Sequence, residues 1–249
     1  MQTQSPPKIL KLLAHDLRWQ IVRALAIGDY RVNELVALVE HPLNLVSYHL
    51  RQLREGHLVT VRRSEADGRD TYYSLDLDYL GALYREAGAA IHPAVMGGAG
   101  GDEVPLQSTP KVLFVCTHNS ARSQMAEGLM RYLSGEQIDV HSAGSVPGGI
   151  HPEAIRTMEA LGIDIRSQYS KGFDELAGQP FDAVITVCDR AREVCPTFPG
   201  DGQHIHWGFP DPSAIQDVVE RRQAFSETAQ RLSTRIHHFL TELKTGAQL

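Results

Sequence analysis

Between Ile91 and Lys111 the chain reads "HPAVMGGAGGDEVPLQSTP", a stretch rich in Gly, Pro and Ser with almost no periodic apolar pattern. Such a segment reads as a linker and cannot run through one continuous core. It therefore divides the chain into two regions that must each bury their own apolar face. The expected organisation is a domain over 8–91, a linker over 92–109 and a second domain over 110–246. A chain of 249 residues is long enough for two modest cores.

The two regions differ in charge and sulfur content. Residues 1–100 balance 11 Lys and Arg against 11 Asp and Glu, whereas residues 101–249 carry 13 against 19 and so hold the whole net charge of −6. All three cysteines lie in the second region. Three is too few, and odd, for a secreted disulfide framework. No apolar run approaches the ~18 residues of a membrane helix. The opening "MQTQSPPKIL" lacks the apolar segment and cleavage site of a signal peptide. A cytoplasmic protein with no membrane partner is expected.

The first region reads as helices followed by a hairpin. "HDLRWQIVRALA" spaces Leu17, Ile21, Val22 and Leu25 along one helical face. "RVNELVALVE" is a short second helix. A third begins near Asn44, a candidate N-cap, with Leu45, Leu50 and Leu53 facing inward. "HLVTVRR" and "DTYYSLDL" alternate like strands around the turn-prone "SEADGR", and "DYLGALYREAGAAI" resumes helical spacing. This order predicts an α+β winged helix-turn-helix domain. Ser47, Tyr48, His49, Arg51, Gln52 and Arg54 fall on positions of the third helix not assigned to the core. Hydroxyls, amides and cations there suit base edges and phosphates, and Arg62, Arg63 and Arg69 on the hairpin suit the DNA backbone or minor groove.

The second region alternates strand and helix, which predicts an α/β domain with a four-stranded parallel sheet flanked by helices. "KVLFVCT" is a near-continuous apolar run, as a strand covered on both faces requires. "IDVHSAG", "FDAVITVC" and "HIHWGF" supply three more strands, with one of His204 and His206 inward. "SQMAEGLMRYL" and "PEAIRTMEALG" are helices. Apolar residues at Val218, Val219, Phe225, Leu232, Ile236, Phe239 and Leu243 predict a long closing helix.

Cys116 ends the first of these strands, at the sheet edge where open α/β folds hold ligands. Thr117, His118, Asn119, Ser120 and Ala121 then form a short polar loop entering a helix. Such a loop can turn successive amides inward as an anion cradle at the helix's positive end. A thiol there is expected to ionise easily, with Arg122 gripping two oxygens of an oxyanion and Ser123 donating to the sulfur. A C-x5-R spacing alone is common. Strand before, helix after and Ser behind the Arg make it specific. Asp211, between Pro210 and Pro212 in "WGFPDPS", is the candidate proton donor to a leaving oxygen.

The other two thiols stand in "CDRAREVC", Cys188 and Cys195. Seven residues apart, they cannot bond across an intact helix, but can if the segment unwinds. No partner pair completes a four-ligand metal set, so no metal is expected. With Cys116 they suggest a relay in which a second thiol attacks the first adduct and a third resolves the disulfide. Phosphate esters need no such thiols, because water finishes their hydrolysis.

Residues 110–246 resemble the thioredoxin-coupled arsenate reductases of the low-molecular-weight tyrosine phosphatase fold. "VLFVCTHNSARSQMAEG", "HSAG", "HPEAIRTMEALGIDI", "VITVCDRAREVCP" and "HWGFPDPS" carry the likeness in order. The resemblance implies that Cys116 attacks arsenate, Arg122 holds it, Ser123 stabilises the thiolate and Asp211 is the general acid. It also implies that Cys188 attacks Cys116 to release arsenite, and that Cys195 forms a Cys188–Cys195 disulfide for thioredoxin. Ala121 stands where some members carry a further cysteine. Potassium-binding members place an Asp where this chain has Lys171, beside residues matching Asn119, Glu127 and Ser142. The Lys171 ammonium is expected to stand in for that ion, leaving no cofactor.

Residues 8–91 resemble the ArsR-type winged-helix repressors in "LAHDLRWQIVRAL", "LVSYHLRQLREGHLV" and "VRRSEADGRDTYYSL". This implies a homodimer through the first and last helices on an inverted-repeat operator in double-stranded DNA. The thiolates with which arsenite sensors of that family bind are absent from this region, as are the paired His and Asp ligands of its zinc sensors. The expected whole is an arsenic-resistance regulator fused to an arsenate reductase with weak phosphatase activity. Two other readings are a tyrosine or arginine phosphatase fused to a DNA-binding domain, and a non-enzymatic repressor that senses oxyanion or redox state.

Overall fold

The structure, a computed structural model, describes residues 6–91, 109–200 and 202–245. Of the expected linker, 92–108 lie outside the described residues. The chain separates into two compact units, Met1–Glu103 and Val104–Leu249.

The first unit runs α1 (Lys8–Leu13), α2 (Asp16–Ile27), β1 (Tyr30–Arg31), α3 (Val32–Val39), α4 (Leu43–Glu55), β2 (Val59–Arg63), β3 (Thr71–Leu75) and α5 (Leu77–Ile91). It is the expected winged helix-turn-helix arrangement. Strands β2 and β3 pair antiparallel, with Val59 opposite Leu75 and Arg63 opposite Thr71. The turn between them is tied locally: the Ser64 hydroxyl accepts from the amides of Ala66 and Asp67. The two-residue β1, unforeseen in the sequence, adds a third strand on the far side of β3. The core joins Leu17, Ile21 and Leu25 of α2 with Leu35, Val46, Leu50, Leu53 and Leu58.

Two expectations for α4 are corrected. The helix begins at Leu43 with Pro42, not Asn44, at the cap position, where proline's fixed φ suits helix entry. Leu45 is exposed, and Val46 and His49 turn inward instead. The stripe is Val46, His49, Leu50 and Leu53, which is i, i+3, i+4, i+7 spacing started one residue later than expected. His49, expected on the DNA-facing surface, is therefore only 3% exposed. Its ring packs against His15 with centroids 4.2 Å apart.

The second unit runs β4 (Lys111–Cys116), α6 (Arg122–Ser134), β5 (Asp139–Gly144), α7 (Pro152–Ala160), a 3-10 turn (Phe173–Leu176), β6 (Ala183–Thr186), α8 (Asp189–Val194), β7 (Gln203–His206), a second 3-10 turn (Pro212–Ala214) and α9 (Val218–Thr245). The four strands are parallel in the order β5-β4-β6-β7. Strand β4 is interior, and its last five residues are buried, which is why "VLFVC" carries no polar alternation. Trp207 meets Phe114 and Phe239 at 6.0 Å each, tying the sheet to α9. Truncating Phe114 or Trp207 to Ala would cost about 3–5 kcal/mol. In α9, Phe225, Leu232, Ile236 and Phe239 are buried as expected, but Val218 and Val219 in its first turn are exposed. Among the described residues no helix is long and apolar enough to cross a membrane.

Candidate active site

Cys116 and Gly144 end adjacent strands side by side. The chain after Cys116 must turn at once into α6, and Asn119 takes the left-handed backbone region to do so, with φ 45°. Asn is among the few residues that adopt it readily. The fully buried Asn119 carboxamide braces the turn from behind. Its Nδ2 donates to Ser123 Oγ at 2.9 Å and Ser142 Oγ at 2.8 Å, and its Oδ1 accepts from Gln124 Nε2 and the Lys171 amide at 2.9 and 2.7 Å. Gly144 lets the loop close down on β5, because a Cβ there would lie 2.7 Å from both the Asn119 nitrogen and the Thr117 carbonyl oxygen.

The loop surrounds a small pocket lined by Cys116, His118, Ser120, Ala121, Arg122, Asp211 and Ser213. It opens at the N-terminus of α6, the positive end of a thirteen-residue helix. Cys116 Sγ lies 2.9 Å from Ser123 Oγ. The Arg122 side chain is almost wholly buried, with Nη1 donating to the Phe209 carbonyl at 2.7 Å and Nη2 facing Asp211 Oδ2 at 3.1 Å. Burial opposes ionisation of Asp211, but Arg122 and two hydrogen bonds from Ser213 outweigh it and hold the carboxyl below the usual carboxylate range. Of the five loop residues expected around an oxyanion, His118, Ser120 and Ala121 line the pocket. The Thr117 and Asn119 side chains are directed elsewhere.

Thr117 points to the second thiol. Its hydroxyl is 3.4 Å from Cys188 Sγ, which also caps α8 by accepting from the Ala191 amide at 3.4 Å. Burial pushes the Cys188 thiol up, with Arg122 pulling against it, and burial alone pushes Cys195 up to about 11. Cys195 stands at the far end of α8. Seven residues of helical rise put the two α-carbons about 10 Å apart, beyond the reach of a disulfide. Both thiols are free here, and α8 must unwind before they can bond.

Beneath α8 lies a buried chain that sequence reasoning missed. Thr186 Oγ1 is 2.9 Å from His206 Nδ1, and His206 Nε2 is 3.0 Å from Asp189 Oδ1. The inward alternation of His206 and the carboxylate directly after Cys188 were the available signals. Behind the loop, the buried Lys171 ammonium lies 3.6 Å from Glu127, whose carboxylate also pairs with Arg131 and receives the Ser142 hydroxyl.

Residues 111–249 match the family described as low molecular weight phosphotyrosine protein phosphatase. The chain belongs to this family. Residues 15–61 match a second family, described as bacterial regulatory protein, arsR family. Within the phosphatase-family unit, the chain is 40% identical over 129 residues to a Halalkalibacterium halodurans protein named arsenate reductase, covering 51% of this chain and 93% of that one. It is 39% identical over 136 residues to an Oceanobacillus iheyensis protein of the same name, covering 54% and 96%. A solved structure described as an arsenate reductase in oxidized state is 30% identical, covers 54% of this chain and 99% of its own, and has a TM-score of 0.48.

In the arsR-family unit the expected DNA-facing residues separate into groups. Ser47, Tyr48, Arg51 and Arg54 share one exposed face of α4, with Arg51 5.7 Å from the Tyr48 ring centre. Gln52 is half-buried and donates to Glu55 at 3.2 Å. Arg63 and Arg69 are exposed on the hairpin, Arg69 against Asp67 at 3.2 Å. Arg62 instead lies over the Tyr72 ring at 4.9 Å and faces the buried Asp29 at 3.8 Å.

Proposed function

We propose that the phosphatase-family unit reduces arsenate to arsenite and that the arsR-family unit binds DNA. The observation that carries the first half is that one loop serves two thiols, with Cys116 at its base and Thr117 against Cys188. A phosphatase has no use for the second contact.

In the free protein the Asp211 carboxylate occupies one edge of Arg122, and an incoming oxyanion takes over that guanidinium. The Cys116 thiolate, with Ser123 Oγ 2.9 Å from its sulfur, attacks As(V). An As–O bond breaks, and its oxygen leaves as water with a proton from Asp211. The Cys188 thiolate then attacks Cys116 Sγ. A disulfide forms, the S–As bond breaks with its electron pair left on arsenic, and arsenite departs as As(III). Cys195 attacks Cys188 as α8 unwinds, expelling Cys116 as thiolate, and thioredoxin reduces the Cys188–Cys195 disulfide.

Ser47, Tyr48, Arg51 and Arg54 form the proposed groove-reading face. Arg63 and Arg69 meet the backbone, and the unit acts as a homodimer on an inverted repeat. Both halves work in the cytoplasm.

The test is a thioredoxin-coupled arsenate assay on the wild type and three variants. Cys116→Ser is expected to abolish turnover, and Cys188→Ser and Cys195→Ser to stop steady reduction. Cys188→Ser should still hydrolyse a small aryl phosphate slowly. Undiminished arsenate turnover in Cys116→Ser overturns the mechanism. A wild type that hydrolyses aryl phosphate but never reduces arsenate makes the protein a phosphatase, and one that does neither makes it a sensor.

A further inference from the structure

The two oxygens of Asp211 are held differently. Oδ1 accepts two hydrogen bonds from one residue, the Ser213 hydroxyl at 2.7 Å and the Ser213 amide at 3.1 Å. Oδ2 faces Arg122 Nη2 at 3.1 Å. Both Ser213 donors belong to the 3-10 turn Pro212–Ala214, whose first residue is a buried proline. Arg122, by contrast, is shared, because an oxyanion competes for the same guanidinium.

We propose that Ser213 is a positioning residue for proton transfer: it keeps Oδ1 as an acceptor and so places the acid proton on Oδ2, the oxygen facing Arg122 and the anion pocket. The proposal rests on the reading of Asp211 as the general acid.

A carboxylic acid carries one proton, and an oxygen already receiving two N–H and O–H donors is the poorer place for it. Before substrate binds, Arg122 keeps Oδ2 ionised. When an oxyanion takes Arg122, Oδ2 loses its cation and its proton affinity rises, so a solvent proton adds there. Oδ2 then hands that proton to the departing oxygen, which leaves as water, and the regenerated carboxylate returns to Arg122. Substrate arrival thus arms the acid, while Ser213 keeps it from rotating the proton away.

The test uses the full chain with Ser213→Ala and Ser213→Thr, each alone and combined with Asp211→Asn. Ser213 is exposed, so neither change threatens the fold. Ser213→Ala is expected to lower kcat for arsenate about 10-fold, the worth of one hydrogen bond to a charged group, with little change in KM. Its alkaline pH limb should move upward, because a carboxylate-stabilising donor has been lost. Ser213→Thr should restore both, and in the Asp211→Asn background Ser213→Ala should do nothing further. An unchanged kcat, or an equal loss in that background, overturns the assignment. The carbon-13 titration of the Asp211 carboxyl in the presence of inorganic phosphate reads the same coupling without turnover. Its midpoint should rise in Ser213→Ala, and a fixed midpoint overturns the proposal. If the midpoint rises but the wild type does not reduce arsenate, the reductase reading fails and the Ser213–Asp211 coupling stands.

Discussion

The Thr117 hydroxyl lies 3.4 Å from the Cys188 sulfur, so the loop that presents the first thiol also touches the second. Cys188 is buried, and burial together with the nearby Cys116 resists its ionisation, while Arg122 and Thr117 favour it. Thr117→Val keeps the shape and removes the hydroxyl. Arsenite release in a single turnover is expected to slow roughly 10-fold at neutral pH, the scale of one charge-assisted hydrogen bond. The rate should recover as pH rises and Cys188 ionises without help. A rate equal to wild type at every pH would remove Thr117 from the relay.

Gly144→Ala tests the close approach of β5 to the loop. The new methyl would meet the Asn119 nitrogen and Thr117 oxygen at 2.7 Å and the Cys116 oxygen at 2.9 Å, all backbone atoms that cannot swing aside. Overpacking of this kind costs about 1–3 kcal/mol. Because the loop has to give way, inhibition by inorganic phosphate should weaken by more than 10-fold, with a lowered melting temperature. Normal phosphate inhibition in a folded variant would mean that the loop does not depend on this contact.

Much of this was legible in the residues because the signals were local. Strand β4 is apolar since both faces are covered, and Cys116, Arg122 and Ser123 follow from a strand, a short polar loop and a helix start. Other features depend on packing between distant segments, which a linear pattern does not encode. The Arg122–Asp211 contact joins the first residue of α6 to the loop after β7, and the Asp189–His206 pair joins α8 to β7. The error at His49 has another origin. Leucine is apolar and histidine polar, so hydropathy alone puts Leu45 inside and His49 outside, whereas the helical spacing fixed by Leu50 and Leu53 turns Val46 and His49 inward.

Lys171 is buried against Glu127 at 3.6 Å, donates to the Tyr169 carbonyl at 3.2 Å and lies 4.4 Å from the Tyr169 ring centre. Lys171→Met keeps most of the volume and deletes the cation. Glu127 retains Arg131, so the cost should stop short of a fully orphaned buried charge, at about 1–3 kcal/mol in urea unfolding of the second unit. Unchanged stability would show that Arg131 alone satisfies Glu127.

His49 makes the first unit sensitive to acid. Burial lowers its pKa first, and the neighbouring His15, Arg18 and His41 lower it further. The folded domain therefore holds this imidazole neutral, whereas in the unfolded chain it gains a proton near its ordinary value of about 6.5. Below that pH the unfolded state binds more protons, so stability present above it is lost as the solution is acidified. The protection of α2 and α4 amides against exchange in the full chain should fall between pH 7.5 and 5.5 once the intrinsic slowing of exchange over that range is divided out. His49→Gln, which cannot titrate, should lower stability at pH 7.5 yet flatten the acid dependence. An acid response as steep in the variant as in the wild type would assign it to other groups.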